Sequence, residues 1–125
     1  MVRTQIDTAA APAAIGPYSQ AIVAGELVFT SGQIPIDPSD GSIPGEFAAQ
    51  VRQVVENLAA VLESAGTSMH NVVKATCFLI DLSHFSELNE IYAQQFASPF
   101  PARSAVQVAR LPKDVQVEIE LIATL

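Results

Sequence analysis

Arg103 and two glutamates are the residues of this chain best suited to carry chemistry. Arg103 lies in the segment 101–106 (Pro-Ala-Arg-Ser-Ala-Val), and Glu118 and Glu120 lie in a later apolar segment. An arginine fork holds a carboxylate in a fixed orientation through two parallel charge-assisted hydrogen bonds. A nearby glutamate can orient or deprotonate a water molecule. This combination predicts hydrolysis of a small anionic molecule without a metal or a covalent intermediate.

Two predicted strands, 103–109 and 115–123, must position these side chains. A simple hairpin between them places Arg103 on the same sheet face as both glutamates, and a plain register brings Glu120 nearer to it than Glu118. A bulge or a neighbouring subunit would reverse that order, so spacing leaves both glutamates open. Surface or inter-subunit ion pairs are the simpler alternative for all three side chains.

Four further residues are candidates for a ligand site. Tyr18 follows a Gly-Pro pair in a loop, and it either lines a pocket or simply packs. Ser31 and Gly32 end a strand, where a glycine either permits close approach of a ligand to the backbone or makes a simple turn. Asn89 follows Leu88 on a predicted helix, and it is either a buried hydrogen-bonding residue or an exposed one.

Hydrophobic spacing predicts the element order β-β-α-β-α-β-β, with an additional N-terminal strand as an option. Gly25-Glu26 is typical of a two-residue hairpin. Gly66 is a plausible end for a helix that begins near Phe47, and Ser83 is suited to cap a second helix. The apolar face of that second helix is Phe85, Leu88, Ile91, Tyr92 and Phe96. The order predicts an α+β fold, a mixed sheet with both helices on one face.

The sheet face without helices has a consequence for assembly. Along the last strand, Val117 and Ile119 point one way, and Glu118, Glu120 and Ile122 point the other. The second face would expose apolar surface unless another subunit covers it. We therefore predict a closed homo-oligomer.

Size and charge narrow the class of protein. The 125 residues suit one domain, 1–125, and half of them are hydrophobic. The net charge is −7 and the six Lys and Arg are scattered, which argues against nucleic-acid binding. No apolar run reaches the roughly 20 residues of a membrane helix, so we expect no membrane association. The first residues lack the apolar region of a secretory signal, so we expect a cytoplasmic protein.

The sequence lacks the residues or motifs that several classes of chemistry require. Cys77 is the only cysteine, and its apolar surroundings predict a buried, inert thiol. His70 and His84 have no ligand spacing to each other or to Cys77, so we predict surface histidines and no metal site. Phosphate-binding loops, nucleophile elbows and dinucleotide fingerprints are missing from the sequence.

Five segments together resemble the RidA/YjgF family of reactive-intermediate deaminases. They are residues 15–21, 30–35, 101–104, 108–115 and 117–120, in the family's order and over nearly the whole chain. The resemblance implies a chorismate-mutase-like α+β fold, assembled as a homotrimer with clefts between subunits. It also implies hydrolysis of 2-imino acids, such as 2-iminobutanoate and 2-iminopropanoate, to 2-oxo acids and ammonia, with no cofactor.

The resemblance also assigns roles to individual residues. Arg103 matches the arginine that binds the substrate carboxylate, and Glu118 matches the glutamate associated with the attacking water. This match favours Glu118 over Glu120 by analogy only. The residues that match the lining of the cleft are Tyr18, Ser31, Gly32 and Asn89.

The chain departs from many family members at two places. Ala105 stands where many have a cysteine, which excludes a thiol-based role there but leaves backbone contacts with a substrate. The segment 96–100 is shorter than in some members, which would reshape the mouth of the cleft.

Two other classes of function remain as alternatives. One is a non-catalytic sensor of 2-oxo acids, or a chaperone-like partner of another enzyme, which would keep Arg103 as an anion clamp. The other is an endoribonuclease, as some relatives are described, although the net charge of −7 weighs against it.

Overall fold

The computed structural model describes residues 2–125 of the chain. Three short 3-10 helices, at Met69–Asn71, Leu82–His84 and Pro112–Asp114, connect the main elements. The strands and helices are β1 (Arg3–Ile6), β2 (Ala21–Ala24), β3 (Leu27–Thr30), α1 (Phe47–Ser64), β4 (Val72–Leu79), α2 (Phe85–Gln95), β5 (Ala102–Gln107) and β6 (Val117–Thr124). The additional N-terminal strand is present as β1, and the rest of the predicted order is confirmed.

All six strands form one sheet in the order β1-β2-β3-β6-β4-β5. Every pair is antiparallel except β4 and β5, which are parallel, with α2 as the crossover between them. The predicted β5–β6 hairpin is therefore wrong. The burial patterns give the reason: β6 alternates strictly between buried and half-buried residues, as a central strand does, whereas β5 has no buried residue and forms an edge.

Both helices lie against one face of the sheet. Residues at helical spacing along α1, among them Val54, Leu58 and Leu62, are fully buried there, and Leu88 and Ile91 of α2 join the same core. The side chains of β6 that reach this core are Val117, Ile119, Leu121 and Ala123. The fold is thus α+β, with a six-stranded mixed sheet and two helices on one side.

The helix ends agree with the sequence in one case and differ in the other. Gly66 ends α1 with a φ of 88°. Its N–H donates to the Glu63 carbonyl, and the N–H of Thr67 donates to the Leu62 carbonyl, as in a Schellman motif. Ser83 does not cap α2, because the Asp81 carboxylate accepts a hydrogen bond from Ser83 N–H at 2.9 Å. Asp81 thus starts a 3-10 turn that continues directly into α2.

The other face of the sheet has no helix on it. Leu27, Phe29 and Val106 are exposed there, and Ile122 is half-buried. This confirms the predicted uncovered apolar face. No helix within residues 2–125 combines the length and apolarity needed to cross a membrane.

Candidate active site

Arg103 lies on the helix side of the sheet, at the edge strand β5. It pairs in register with Ala75, whose side chain is fully buried in the helix-covered core, so Arg103 points to the same side. Its guanidinium carbon lies 5.3 Å from the centre of the Phe85 ring and 4.8 Å from that of Tyr92, both on α2. No carboxylate in the described part of the chain forms an ion pair with Arg103. The result is a half-buried cation that contacts two aromatic rings and has no carboxylate partner within residues 2–125.

A pocket of about 360 Å³ opens beside this guanidinium. Asn89, Tyr92 and Ala93 line it from α2, and Phe100 and Pro101 line it from the segment that leads into β5. Asn89 is half-buried at this wall, between the two alternatives of a buried and an exposed residue that spacing leaves open. The pocket therefore combines a free cation, an amide and apolar walls, which are the groups that a small carboxylate with a short aliphatic chain requires.

Glu118 lies on the opposite face of the sheet. It pairs with Phe78 of β4, while its neighbours Val117 and Ile119 fill the helix-covered core. Gly32 packs directly against it, and a Cβ atom added to Gly32 would overlap the carboxylate and come within 2.8 Å of Cδ of Glu118. Two backbone hydrogen bonds between Gln33 and Ile119, of 2.9 and 3.2 Å, hold the two segments together.

The environment of Glu118 favours its neutral form. Burial, and then the negative charge of Glu120 on the same strand face, raise the pKa of the Glu118 carboxyl above its ordinary value. A carboxylate with a raised pKa is a better proton acceptor than an exposed one, which suits a general base.

Gln20 connects two segments, the loop that carries Tyr18 and the end of β3, through hydrogen bonds to both. Its amide is fully buried, accepts from Thr8 N–H at 2.7 Å and donates to the Pro12 carbonyl at 2.7 Å. The Ser31 hydroxyl donates to the Gln20 carbonyl at 3.1 Å. Sequence reasoning missed this role, because nothing in the spacing marks a buried glutamine at the start of a strand.

Tyr18 and Ala105 lie in different surroundings. Tyr18 is exposed in its loop, where Ile15 N–H donates to its hydroxyl at 3.4 Å. Ala105 is half-buried on β5, on the side of Arg103, and packs against the core beside Cys77, its partner in register.

One chain thus carries two separate clusters of the predicted site residues. The first contains Arg103 and Asn89, on the helix side, and the second contains Glu118, Gly32 and the neighbouring Ser31, on the side without helices. The expectation that Arg103 and the glutamates share a face is wrong. Strand β4 lies between β5 and β6, and its register with each of them places Arg103 on one face of the sheet and the glutamates on the other.

Comparison with known proteins identifies the family. The model of the family described as Endoribonuclease L-PSP matches residues 8–125. A RutC family protein of Pyrococcus horikoshii is 55% identical over 119 residues, covering 94% of both chains. A 2-iminobutanoate/2-iminopropanoate deaminase of Escherichia coli K12 is 50% identical over 121 residues, again covering 94% of both.

Solved structures give the same result. The crystal structure of RidA from an Antarctic Psychrobacter species superposes with a TM-score of 0.95 at 48% identity, covering 98% of this chain and 99% of that one. E. coli TdcF with bound serine gives 0.92 at 47% identity, covering 98% of each chain. The chain belongs to the RidA/YjgF family.

The cysteine and the two histidines of this RidA-family chain belong to neither cluster. Cys77 is fully buried, and burial raises the pKa of its thiol to about 11, so the thiol stays protonated, as the sequence predicts. His70 is exposed, whereas His84 is half-buried and stacks on Phe47 at 4.4 Å. Residues 2–125 hold no group of three His, Cys, Asp or Glu that could bind a metal ion.

Proposed function

We propose that this RidA-family protein hydrolyses 2-imino acids, such as 2-iminobutanoate and 2-iminopropanoate, to 2-oxo acids and ammonia. The observation that carries the proposal is the half-buried, unpaired guanidinium of Arg103 in a pocket that also presents Asn89. The names of relatives at 50% identity support the same reaction, and so does a relative of 47% identity with bound serine, a small molecule with a carboxylate.

In the proposed mechanism, binding and orientation supply most of the catalysis. Arg103 binds the substrate carboxylate through its fork of N–H donors. Glu118 accepts a proton from a water molecule as the water oxygen bonds to the carbon of the protonated imine, whose C=N π electrons move to the nitrogen, and the product is a neutral carbinolamine. Glu118 returns this proton to the nitrogen, and the C–N bond then breaks to release ammonia while the hydroxyl proton passes back to the Glu118 carboxylate and the C=O bond forms. Backbone groups of Gly32 and Ala105 are proposed contacts of the nitrogen, and Tyr18 and Ser31 complete the wall of the cleft.

This mechanism requires two copies of the chain. Arg103 and Glu118 lie on opposite faces of one sheet, so one molecule cannot direct both at the same substrate. A neighbouring copy, packed against the apolar face that carries Phe29 and Ile122, would bring its Glu118 to the Arg103 pocket. We therefore propose a homotrimer with its clefts between subunits, acting in the cytoplasm.

Replacement of Arg103 tests the assignment. Arg103→Ala should reduce kcat/KM about ten- to 150-fold, because it removes a charge-assisted hydrogen-bonding pair with the substrate. Arg103→Lys should also be poor, because an ammonium lacks the planar fork. The measurement is imine consumption in a dehydratase-coupled assay, with semicarbazide trapping unreacted imine. Arg52→Ala, on an exposed position of α1, is the control. An Arg103→Ala protein as active as the parent would exclude Arg103 from the reaction.

Two alternatives have support of their own. The description of the matching family model favours an endoribonuclease, and RNA cleavage that weakens with salt would support it against the charge of −7. The Arg103 pocket alone favours a 2-oxo acid sensor or a chaperone-like partner, and tight binding of 2-oxobutanoate without turnover of the imine would support that function.

A further inference from the structure

Two aromatic residues of α2 replace the carboxylate that usually accompanies a half-buried arginine. Phe85 and Tyr92 are seven residues apart, two helical turns, and so lie along one side of α2. Both ring centres lie within 6 Å of the guanidinium carbon of Arg103, the range in which a cation and an aromatic ring attract each other. Such contacts hold the charge without supplying an acceptor for the N–H donors, which remain available to a ligand.

The two rings differ in what else they do. Tyr92 is 7% exposed, belongs to the hydrophobic core and packs on the Phe96 ring at 4.3 Å. Phe85 is 39% exposed, so only part of its ring is covered by the protein. Replacement of Tyr92 would open a hole in the core, whereas replacement of Phe85 changes chiefly the surroundings of Arg103.

We propose that Phe85 and Tyr92 are positioning residues that hold the guanidinium of Arg103 at the 360 Å³ pocket and thereby set its affinity for a small carboxylate. This inference rests on the proposed function in one respect, which is that the bound carboxylate is a 2-imino or 2-oxo acid. Arginine has many rotamers, and ordering it before the ligand arrives removes that entropic cost from binding. Loss of one ring should therefore weaken ground-state and transition-state binding alike, which raises KM and leaves kcat unchanged.

Phe85→Leu is the variant that tests this inference. It should raise KM for the imine, and Kd for 2-oxobutanoate, about two- to fivefold, with kcat unchanged. Phe85→Tyr keeps an aromatic ring at this position, so KM and Kd should lie closer to those of the parent than in Phe85→Leu. Leu82→Ala is the matched control, since Leu82 is 41% exposed in the 3-10 turn that precedes α2 and has no aromatic ring to interact with the guanidinium.

A spectroscopic measurement separates this inference from the proposed function. A ring over the guanidinium shifts the Nε–H proton resonance of Arg103 upfield, and Phe85→Leu should reduce that shift while Leu82→Ala preserves it. If the parent hydrolyses no imine, the proposed function fails, but Kd for 2-oxobutanoate and the Nε–H resonance still decide the inference. It is overturned if Phe85→Leu keeps the parent's Kd and resonance, if Leu82→Ala raises Kd equally, or if the parent does not bind 2-oxobutanoate.

Discussion

The side chain of Arg103 is half-buried and has no acidic partner within residues 2–125. The chain has 13 Asp and Glu against six Lys and Arg, so acidic partners are plentiful. Asp114, for example, pairs with the exposed Arg110 at 2.8 Å. Arg103 instead contacts two rings and lines a pocket. A cation left without a counter-charge, partly out of water, binds an incoming anion strongly, because no internal ion pair has to break first.

Glu118, the second residue of the proposed pair, should set the pH below which the reaction slows. Glu118 accepts a proton only when ionised, and burial and the charge of Glu120 raise its pKa. We expect kcat to fall as pH decreases through this raised pKa, at a higher pH than for an ordinary glutamate. Glu120→Gln removes a repelling negative charge, so the pKa of Glu118 decreases and the acid limb of the pH–rate profile moves to lower pH.

The control for this prediction is a glutamate far from the site. Glu56→Gln removes the same charge from an exposed position of α1 and should leave the acid limb where it is in the parent. An acid limb that Glu120→Gln does not move, or that Glu56→Gln moves equally, would mean that the profile reports another group.

At the scale of elements, the position of β6 decides which residues can meet. Neighbouring strands in sequence usually pair, so a β5–β6 hairpin is the simple expectation from the chain. The sheet instead inserts β6 between β3 and β4, where its alternating apolar side chains reach the core under α1. The poorly apolar β5 is left at the edge. Residue types predict both burial patterns, but the choice of neighbour depends on tertiary packing that no local pattern contains.

The segment after β3 determines where the Glu118 carboxylate sits. Gly32→Ala would place a methyl group on that carboxylate, which must then swing away. Because a flexible side-chain end moves and not the backbone, the fold should persist, while misplacement of the carboxylate lowers kcat roughly ten- to hundredfold. Circular dichroism and steady-state kinetics measure the two effects.

Gly45→Ala provides the matched control, since an added Cβ there meets nothing within 4 Å. It should retain both the fold and the activity of the parent. Full activity in Gly32→Ala would show that the position of the Glu118 carboxylate does not matter for the reaction.

At the scale of the whole molecule, the uncovered sheet face is the interface of the proposed trimer. Phe29→Lys places a charge on this face, so the protein should shift from the proposed trimer of about 40 kDa to a monomer of 13.2 kDa and lose the proposed activity. Leu82→Lys is the control, because both side chains are 41% exposed but Leu82 lies outside that face. Sedimentation velocity measures the mass. A Phe29→Lys protein that sediments as the parent does would contradict this interface.

Much of the fold, and less of the site, could be predicted from the sequence. Helical spacing and turn residues such as Gly25 and Gly66 indicated the elements, and the alternation in β6 indicated a helix-free face. The chemical types of Arg103 and the glutamates mark them as candidates, whereas the choice of Glu118 and the residues of the cleft lining depend on the resemblance to the family. Their division between two faces could not be predicted, because it follows from the register of β4 with both β5 and β6.

The most direct test of a cleft shared between copies is a subunit-mixing experiment. Arg103→Ala and Glu118→Gln proteins are each expected to retain little of the parent's activity, since every cleft lacks one of the two groups. After unfolding and refolding together in equal amounts, about a quarter of the clefts in a closed ring should combine an intact Arg103 with an intact Glu118. Recovery of about that fraction of the parent's activity is the predicted result. A mixture no more active than either of its two components would contradict the account.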